Sequence, residues 1–200
     1  MGGAGGLRLE GAANIAAVRA VTTQPIVGLA KSNSVAPKDR LKSVYITATL
    51  AEAEAIAKAG SDIVAIDATG RPRADGMKLS EFIARIRNDL GKPVMADVST
   101  LSEGLMAVEA GADLVSTTLY GYTKETELPS DAGPGLDLLR SLAEKCDVPV
   151  ILEGRVWHPE EVARAFAYGA YAVVVGSAIT RPQLITRRFV SAVPASLAKD

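Results

Sequence analysis

The chain has 200 residues, a formal net charge of −1 and an apolar share of 48%. This length suits one domain with a substantial core, and the near-zero charge indicates no general attraction to nucleic acid or to an anionic membrane. No apolar run approaches the ~20 residues of a membrane span. The one cysteine, Cys146, has no second cysteine to pair with, which is typical of a reducing compartment, so we expect a cytoplasmic protein.

Strands and helices alternate along the chain. Each predicted strand is an apolar, β-branched run, typical of a strand buried on both faces. Seven strands are predicted, at Leu7–Glu10, Ile26–Lys31, Ile63–Asp67, Val94–Asp97, Leu114–Thr118, Val150–Glu153 and Val173–Gly176, with a short extra strand at Val44–Thr47. The predicted helices are Asn14–Val21, Glu52–Ala59, Leu79–Leu90, Glu103–Ala110, Leu136–Lys145, Glu160–Tyr168 and Pro182–Ala198. This alternation favours a parallel sheet with right-handed crossovers.

A glycine followed seven residues later by the end of an apolar run recurs along the chain. Glycine at a helix C-terminus adopts a left-handed conformation without a Cβ penalty, so each repeat predicts a step from helix to strand. The three pairs are Gly60 and Asp67, Gly111 and Thr118, and Gly169 and Gly176.

Three other strands begin after a proline and end at a charged residue, namely Lys31, Asp97 and Glu153. Each charged residue lies an even number of positions after its proline, so the two share a face of the strand. Parallel strands in a barrel deliver such residues to one rim. A dinucleotide-binding fold is disfavoured because the GGAGG run precedes the first strand instead of following it.

Seven strand-end motifs stand in order: LRLEG (7–11), PIVGLAK (25–31), AIDATGRPR (65–73), ADVST (96–100), STTLYGYT (116–123), LEGR (152–155) and VGSAITRP (175–182). This set closely resembles the N-acetylmannosamine-6-phosphate 2-epimerase family over essentially the whole chain. The resemblance implies a TIM (β/α)₈-type barrel and a cofactor-independent isomerase. Its reaction would interconvert N-acetylmannosamine 6-phosphate and N-acetylglucosamine 6-phosphate in bacterial sialic acid and amino sugar catabolism.

Members of that family begin with one more strand and helix, upstream of the segment that matches Gly3. We therefore expect residues 1–200 to form a single barrel domain that lacks the first βα unit and is N-terminally truncated relative to the family. The resemblance also suggests a homodimer that acts on a phosphorylated amino sugar.

The motif match assigns the catalytic residues to Lys31 and Glu153. They end strands on opposite sides of an eight-stranded barrel, which suits inversion at one carbon. We expect Lys31 to act as the base, once burial and cationic neighbours favour its neutral form, with Glu153 as its partner. The structural alternative for Lys31 is a solvated lysine in a loop, and the alternative for Glu153 is an acid that caps the next helix.

Substrate-binding residues are expected at Arg8, Asp67, Asp97, Thr118 and Tyr122. Asp67 and Asp97 could bind sugar hydroxyls or form salt bridges to Lys31 or Arg71, and an ion pair between Arg8 and Glu10 is the alternative for Arg8. Residues 123–135 form the longest loop, which is either a lid or a surface excursion.

The phosphate is expected at the loops after the last two strands, where backbone N–H groups start a helix. The candidates are Gly154, Arg155, Gly176, Ser177 and Arg181. No metal site or cofactor is expected, because a single histidine, His158, cannot build a multi-histidine centre. Two alternatives remain: an inactive or phosphosugar-binding barrel, and a Schiff-base aldolase that uses Lys31.

Overall fold

Seven parallel strands pair in chain order to form one sheet in the computed structural model, which describes residues 2–32, 35–129 and 132–194. Helices between the strands complete a nearly closed β/α barrel, which confirms the predicted alternation. The strands are β1 (Leu7–Glu10), β2 (Ile26–Leu29), β3 (Ile63–Asp67), β4 (Val94–Asp97), β5 (Leu114–Ser116), β6 (Val150–Glu153) and β7 (Ala172–Val174).

Eight helices occur in the described residues: α1 (Ala12–Arg19), α2 (Leu50–Lys58), α3 (Leu79–Leu90), α4 (Leu101–Glu109), α5 (Leu136–Lys145), α6 (Pro159–Ala167), α7 (Ser177–Thr180) and α8 (Pro182–Val190). A 3₁₀ turn lies at Pro37–Asp39. No helix among these residues is long and apolar enough to cross a membrane.

Alternate residues of each strand pack into two different layers. In β3, Val64 and Ile66 belong to the large cluster between sheet and helices, which also contains Phe82 of α3, whereas Ala65 belongs to a smaller cluster with Met95 and Ile151. The smaller cluster fills the interior of the barrel. Strand residues whose side chains point into the barrel, and which lie nearest the carboxyl ends of the strands, therefore line the barrel mouth.

Capping boxes start two of the helices. Thr49 accepts a hydrogen bond from the N–H of Glu52 at the start of α2, and Thr100 accepts one from the N–H of Glu103 at the start of α4. The glycines of the repeat have φ values of 103°, 96° and 91° at Gly60, Gly111 and Gly169. Each therefore ends a helix in the left-handed region, and the predicted step from helix to strand is confirmed.

The predicted extra strand at Val44–Thr47 is wrong. This segment makes only an isolated antiparallel bridge between Ile46 and Lys31, and Thr47 has a positive φ of 43° that breaks an extended run. The hydroxyl of Thr47 accepts a hydrogen bond from the N–H of Ala30, 3.1 Å away, in place of a backbone partner.

Two other strands, β2 and β5, end two residues earlier than predicted, and β7 is shifted to start and end earlier. At the barrel mouth, some backbone N–H groups donate to side-chain hydroxyls instead of to backbone carbonyls of a neighbouring strand. After β2, for example, the N–H of Ala30 donates to the hydroxyl of Thr47. Helix α8 ends at Val190, whereas the prediction extended to Ala198, which lies outside the described residues.

Candidate active site

The guanidinium of Arg8 lies at the centre of a buried charged group at the barrel mouth. One terminal nitrogen donates to Oδ1 of Asp97 at 3.0 Å and the other to Oδ2 at 2.5 Å. The side chain of Arg8 is 5% exposed and that of Asp97 is fully buried. This bidentate geometry is the strong form of an arginine–carboxylate pair.

Glu153 completes this group from the end of β6. Its Oε2 lies 3.0 Å from Nε of Arg8, but the N–H is not aligned on the oxygen, so the contact is a charge pair and not a hydrogen bond. Oε2 has no hydrogen-bond partner among the described residues, so it is a place where a proton can reside.

Burial raises the pKa of Glu153 from its ordinary 4.5 to about 7. Arg8 opposes this shift, Asp97 adds to it, and Thr118 and Lys31 oppose it more weakly. Burial opposes the charge of Arg8 as well, but Asp97 and Glu153 outweigh it and raise the pKa of Arg8, so the guanidinium stays cationic. Glu153 is therefore the group of this cluster that can exchange a proton near neutral pH.

Lys31 lies just beyond the end of β2, with its ammonium 3.0 Å from Oε2 of Glu10. Its side chain is 38% exposed. We expected a buried amine with cationic neighbours. In the structure the amine of Lys31 is partly exposed, and its charged partner is the carboxylate of Glu10. The alternative of an ion pair between Arg8 and Glu10 is wrong, since Arg8 pairs with Asp97 and Glu153 while Glu10 pairs with Lys31.

Asp67 is fully buried and takes the structural alternative predicted for it. Its carboxylate accepts from Arg71 at 2.7 Å, from the hydroxyl of Thr69 at 2.7 Å and from the N–H of Tyr45 at 3.2 Å. Burial raises the pKa of Asp67, against the opposing effect of Arg71. These bonds organise the loops after β2 and β3.

Thr118 connects the end of β5 to the same charged group. Its hydroxyl donates to Oδ1 of Asp97 at 2.8 Å and lies 2.8 Å from the hydroxyl of Ser116. Of the residues expected to bind substrate, the structure thus brings Arg8, Asp97 and Thr118 together.

The ring of Tyr122 lies beside Gly154, the residue after Glu153, and Tyr122 is 41% exposed. The guanidinium of Arg155 stacks on its ring, 4.4 Å from the centroid. The choice between a lid and a surface excursion for the loop at 123–135 stays open, because two of its residues, Ser130 and Asp131, lie outside the described residues.

The expected phosphate residues lie on two loops of the same rim. Arg155 donates from its terminal nitrogens to the carbonyls of Tyr120 at 3.0 Å and Gly121 at 3.2 Å. Gly176 and Ser177 stand exposed at the start of α7, and Arg181 is exposed at the start of α8. Glu153 does not cap α6, because Glu161 accepts from the N–H groups of Trp157 and His158 instead.

Three residues near the mouth, Tyr45, Arg40 and Thr117, were not among the predicted site residues. The ring of Tyr45 lies between two guanidinium groups, with Arg40 at 5.2 Å and Arg71 at 5.5 Å. Tyr45 lies in the segment that was predicted as an extra strand, and Arg40 lies in the loop before it, so neither was predicted as a site residue. Thr117 was also missed, although it lies inside a quoted motif.

Comparison with known proteins shows the same family over nearly the whole length. Residues 1–195 match the family model NanE, described as "Putative N-acetylmannosamine-6-phosphate epimerase". A protein of Caldanaerobacter subterraneus with the name "Putative N-acetylmannosamine-6-phosphate 2-epimerase" is 46% identical over 194 residues, which cover 96% of this chain and 78% of that protein. A protein of the same name from Cutibacterium acnes is 43% identical, covering 94% and 79%.

Among solved structures, the N-acetylmannosamine-6-phosphate 2-epimerase of Clostridium perfringens superposes with a TM-score of 0.85 at 39% identity, covering 95% of this chain and 80% of that one. FabK from Thermotoga maritima shares the fold alone, with a TM-score of 0.53 at 21% identity. The predicted TIM-type barrel is confirmed.

Proposed function

The chain belongs to the N-acetylmannosamine-6-phosphate epimerase family, and we propose that it interconverts N-acetylmannosamine 6-phosphate and N-acetylglucosamine 6-phosphate. The observation that carries this proposal is the buried group at the barrel mouth in which Arg8 pairs with Asp97 and lies 3.0 Å from Glu153. Burial there raises the pKa of Glu153 to about 7. A group that gains and loses a proton near neutral pH suits a reaction that removes and returns one.

The chemistry is inversion at C2 of the opened sugar. A base takes the C2 proton, which is acidic because it lies next to the C1 carbonyl, and the electron pair of the C2–H bond moves toward the C1 oxygen to form an enolate. A proton then returns to the opposite face of C2. In the opened sugar, C2–H is the only σ bond that breaks and re-forms, and the ring C1–O bond re-forms when the sugar closes. The reaction therefore needs no oxidant or other co-reactant.

Lys31 and Glu153 are the proposed proton-handling residues. They come from the ends of β2 and β6, which lie four strands apart in the sheet order, so they approach the mouth from different sides. In the free protein Lys31 pairs with Glu10 in a partly exposed setting. We propose that substrate covers this pair from water and that Lys31 then serves one face of C2 while Glu153 serves the other.

Arg8 and Asp97 support Glu153 in this scheme. The cationic guanidinium lies 3.0 Å from the carboxyl group, so it stabilises Glu153 whenever that group has given up its proton. Asp97 keeps the guanidinium in place with two hydrogen bonds. Because both terminal nitrogens of Arg8 are engaged, its proposed contact with the substrate is electrostatic and not a free bidentate fork.

Binding of the phosphate is proposed at the backbone N–H groups of Gly154, Gly176 and Ser177. Glycine lets the backbone approach an anion closely. Arg155 and Arg181 would add positive charge at this rim, with the terminal nitrogens of Arg155 already engaged by carbonyl groups. Thr118, Tyr122 and the carboxylates of Asp67 and Asp97 are proposed to contact or orient the sugar. We further propose a cytoplasmic, dimeric enzyme of amino sugar catabolism.

The proposal is tested by incubating the purified protein with N-acetylmannosamine 6-phosphate and following the anomeric proton signals by NMR. We expect the signals of N-acetylglucosamine 6-phosphate to grow until a constant ratio is reached from either sugar. Tight phosphosugar binding without interconversion would instead support the binding-barrel alternative. Borohydride trapping of a covalent adduct on Lys31 would support the aldolase alternative.

A further inference from the structure

The hydroxyl of Thr117 clamps the backbone of Glu153 with two hydrogen bonds. It donates to the carbonyl oxygen of Glu153 at 3.0 Å and accepts from the N–H of the same residue at 3.1 Å. Thr117 is fully buried, so water does not compete for these bonds. One side-chain hydroxyl thus satisfies both polar groups of the backbone unit that carries the proposed acid–base residue.

This clamp lies where the sheet ladder ends. Strand β5 ends at Ser116. The last backbone hydrogen bond toward β6 runs from the N–H of Thr117 to the carbonyl of Ile151 at 3.1 Å. Immediately after Glu153 the backbone turns through left-handed conformations at Gly154, with φ 100°, and Arg155, with φ 59°. On the β5 side, the hydroxyl of Thr117 therefore takes over from regular pairing in holding Glu153 before this turn.

Two adjacent residues after β5, Thr117 and Thr118, form hydrogen bonds to the two acidic residues that flank Arg8. Thr117 faces the backbone of Glu153, while its neighbour Thr118 faces inward and donates to Oδ1 of Asp97 at 2.8 Å. Alternation along an extended segment sends adjacent side chains to opposite faces, which explains how neighbouring residues reach two different partners. The end of β5 thereby fixes Asp97 and Glu153 relative to each other.

We propose that Thr117 is a positioning residue for Glu153, whose carboxyl group it holds at the correct distance from Arg8 and from C2 of the substrate. This inference rests on the proposed function, since it assumes that Glu153 handles the proton. Displacement of a reacting group by about 1 Å can cost on the order of 100-fold in rate.

The first test compares Thr117→Val, which keeps the shape and removes the hydroxyl, with Thr117→Ser, which keeps the hydroxyl. For Thr117→Val we expect kcat to fall by about 10- to 100-fold with KM within about twofold. Thr117→Ser should stay within about threefold of the wild type. Ser61→Ala serves as the control, because Ser61 is fully buried and donates only to the carbonyl of Ile56.

The Ser61 variant should lose stability without losing kcat. If Thr117→Val kept kcat within twofold of the wild type, or if Thr117→Ser fell as far as Thr117→Val, the positioning role would be overturned.

A second measurement tests the two hydrogen bonds between Thr117 and Glu153 without relying on turnover. Amide hydrogen exchange of the 200-residue chain reports the protection of the Glu153 N–H. We expect this N–H to exchange faster in Thr117→Val and to remain protected in Thr117→Ser. Unchanged protection in Thr117→Val would overturn the clamp. A wild-type protein with a protected N–H but no epimerisation would contradict the proposed function and leave the clamp itself standing.

Discussion

Arg8 and Asp97 join β1 to β4 through two hydrogen bonds, 3.0 and 2.5 Å long, between side chains that are almost completely buried. These strands are not neighbours in the sheet, so the pair spans the barrel mouth. Glu153 meets the remaining guanidinium nitrogen of Arg8 at 3.0 Å. The charged centre of the mouth is thus assembled in the free protein, which reduces the reorganisation required when substrate binds.

Arg8→Met is expected to destabilise the fold strongly. The substitution leaves Asp97 buried with only Thr118 as its side-chain partner, and breaking a buried ion pair typically costs about 3–5 kcal/mol. The free energy of unfolding from urea titration measures this cost. Arg85→Met is the matched control, because Arg85 pairs with Asp89 on the exposed face of α3 and its loss should leave the free energy of unfolding nearly unchanged. Equal losses in the two variants would show that the Arg8–Asp97 pair adds no special stability.

The pH dependence of kcat/KM should show an ionisation near pH 7 that belongs to Glu153. Because the Arg8 cation opposes the upward shift of this pKa, Arg8→Met should move the ionisation to higher pH. Steady-state rates from pH 5 to 9 measure both effects. An unmoved ionisation in Arg8→Met, or its persistence in Glu153→Gln, would assign it to another group.

Glu153→Gln should change how stability depends on pH. The folded pKa of about 7 lies above the ordinary value of 4.5, so protonation of Glu153 favours the folded state. This contribution is fully present below pH 4.5 and is lost as pH rises through 7. Glutamine does not titrate, so between pH 5 and 8 the variant should gain on the order of 2 kcal/mol relative to the wild type. Parallel stability curves across this range would show that the Glu153 pKa is not raised.

Glu103→Ala should be far more destabilising than Glu52→Ala, although both residues belong to capping boxes. Glu103 is 6% exposed and accepts from the N–H and hydroxyl of Ser99, from the N–H of Thr100 and from the N–H of Gly70 in the loop after β3. Loss of Glu103 leaves several buried donors unpaired, at a cost of about 2–4 kcal/mol, whereas an ordinary cap costs about 1 kcal/mol. Thermal unfolding of the two variants compares them directly, and similar losses would contradict the bridging role of Glu103.

The strands and the helix starts could be predicted because their causes are local. Gly60 and Gly111 end helices for reasons of backbone conformation, and Thr49 and Thr100 cap helices for reasons of hydrogen bonding. The ends of β2 and β5 could not be predicted, since Thr47 and Thr117 replace sheet bonds with hydroxyl groups whose partners lie far away in sequence.

The residues of the site could be named from motifs, but their pairing could not. Arg8 pairs with Asp97, 89 positions away in sequence, only because the barrel brings β1 and β4 together at the mouth. For the same reason the partner of Lys31 is Glu10, although the sequence analysis expected cationic neighbours. The role of Tyr45 could not be predicted, because its ring contacts two arginines, Arg40 and Arg71, that come from two different loops.

Exchange of the C2 proton of N-acetylmannosamine 6-phosphate with solvent in D₂O tests the central claim most directly. We predict that the protein incorporates deuterium at C2 as the second epimer forms, and that Lys31→Ala and Glu153→Gln slow this incorporation by about 100-fold or more. Lys58→Ala, at an exposed ion pair on α2, should exchange at the wild-type rate. Absence of both deuterium and the second epimer in the wild-type reaction would contradict the account, and wild-type exchange in Lys31→Ala would remove Lys31 from the mechanism.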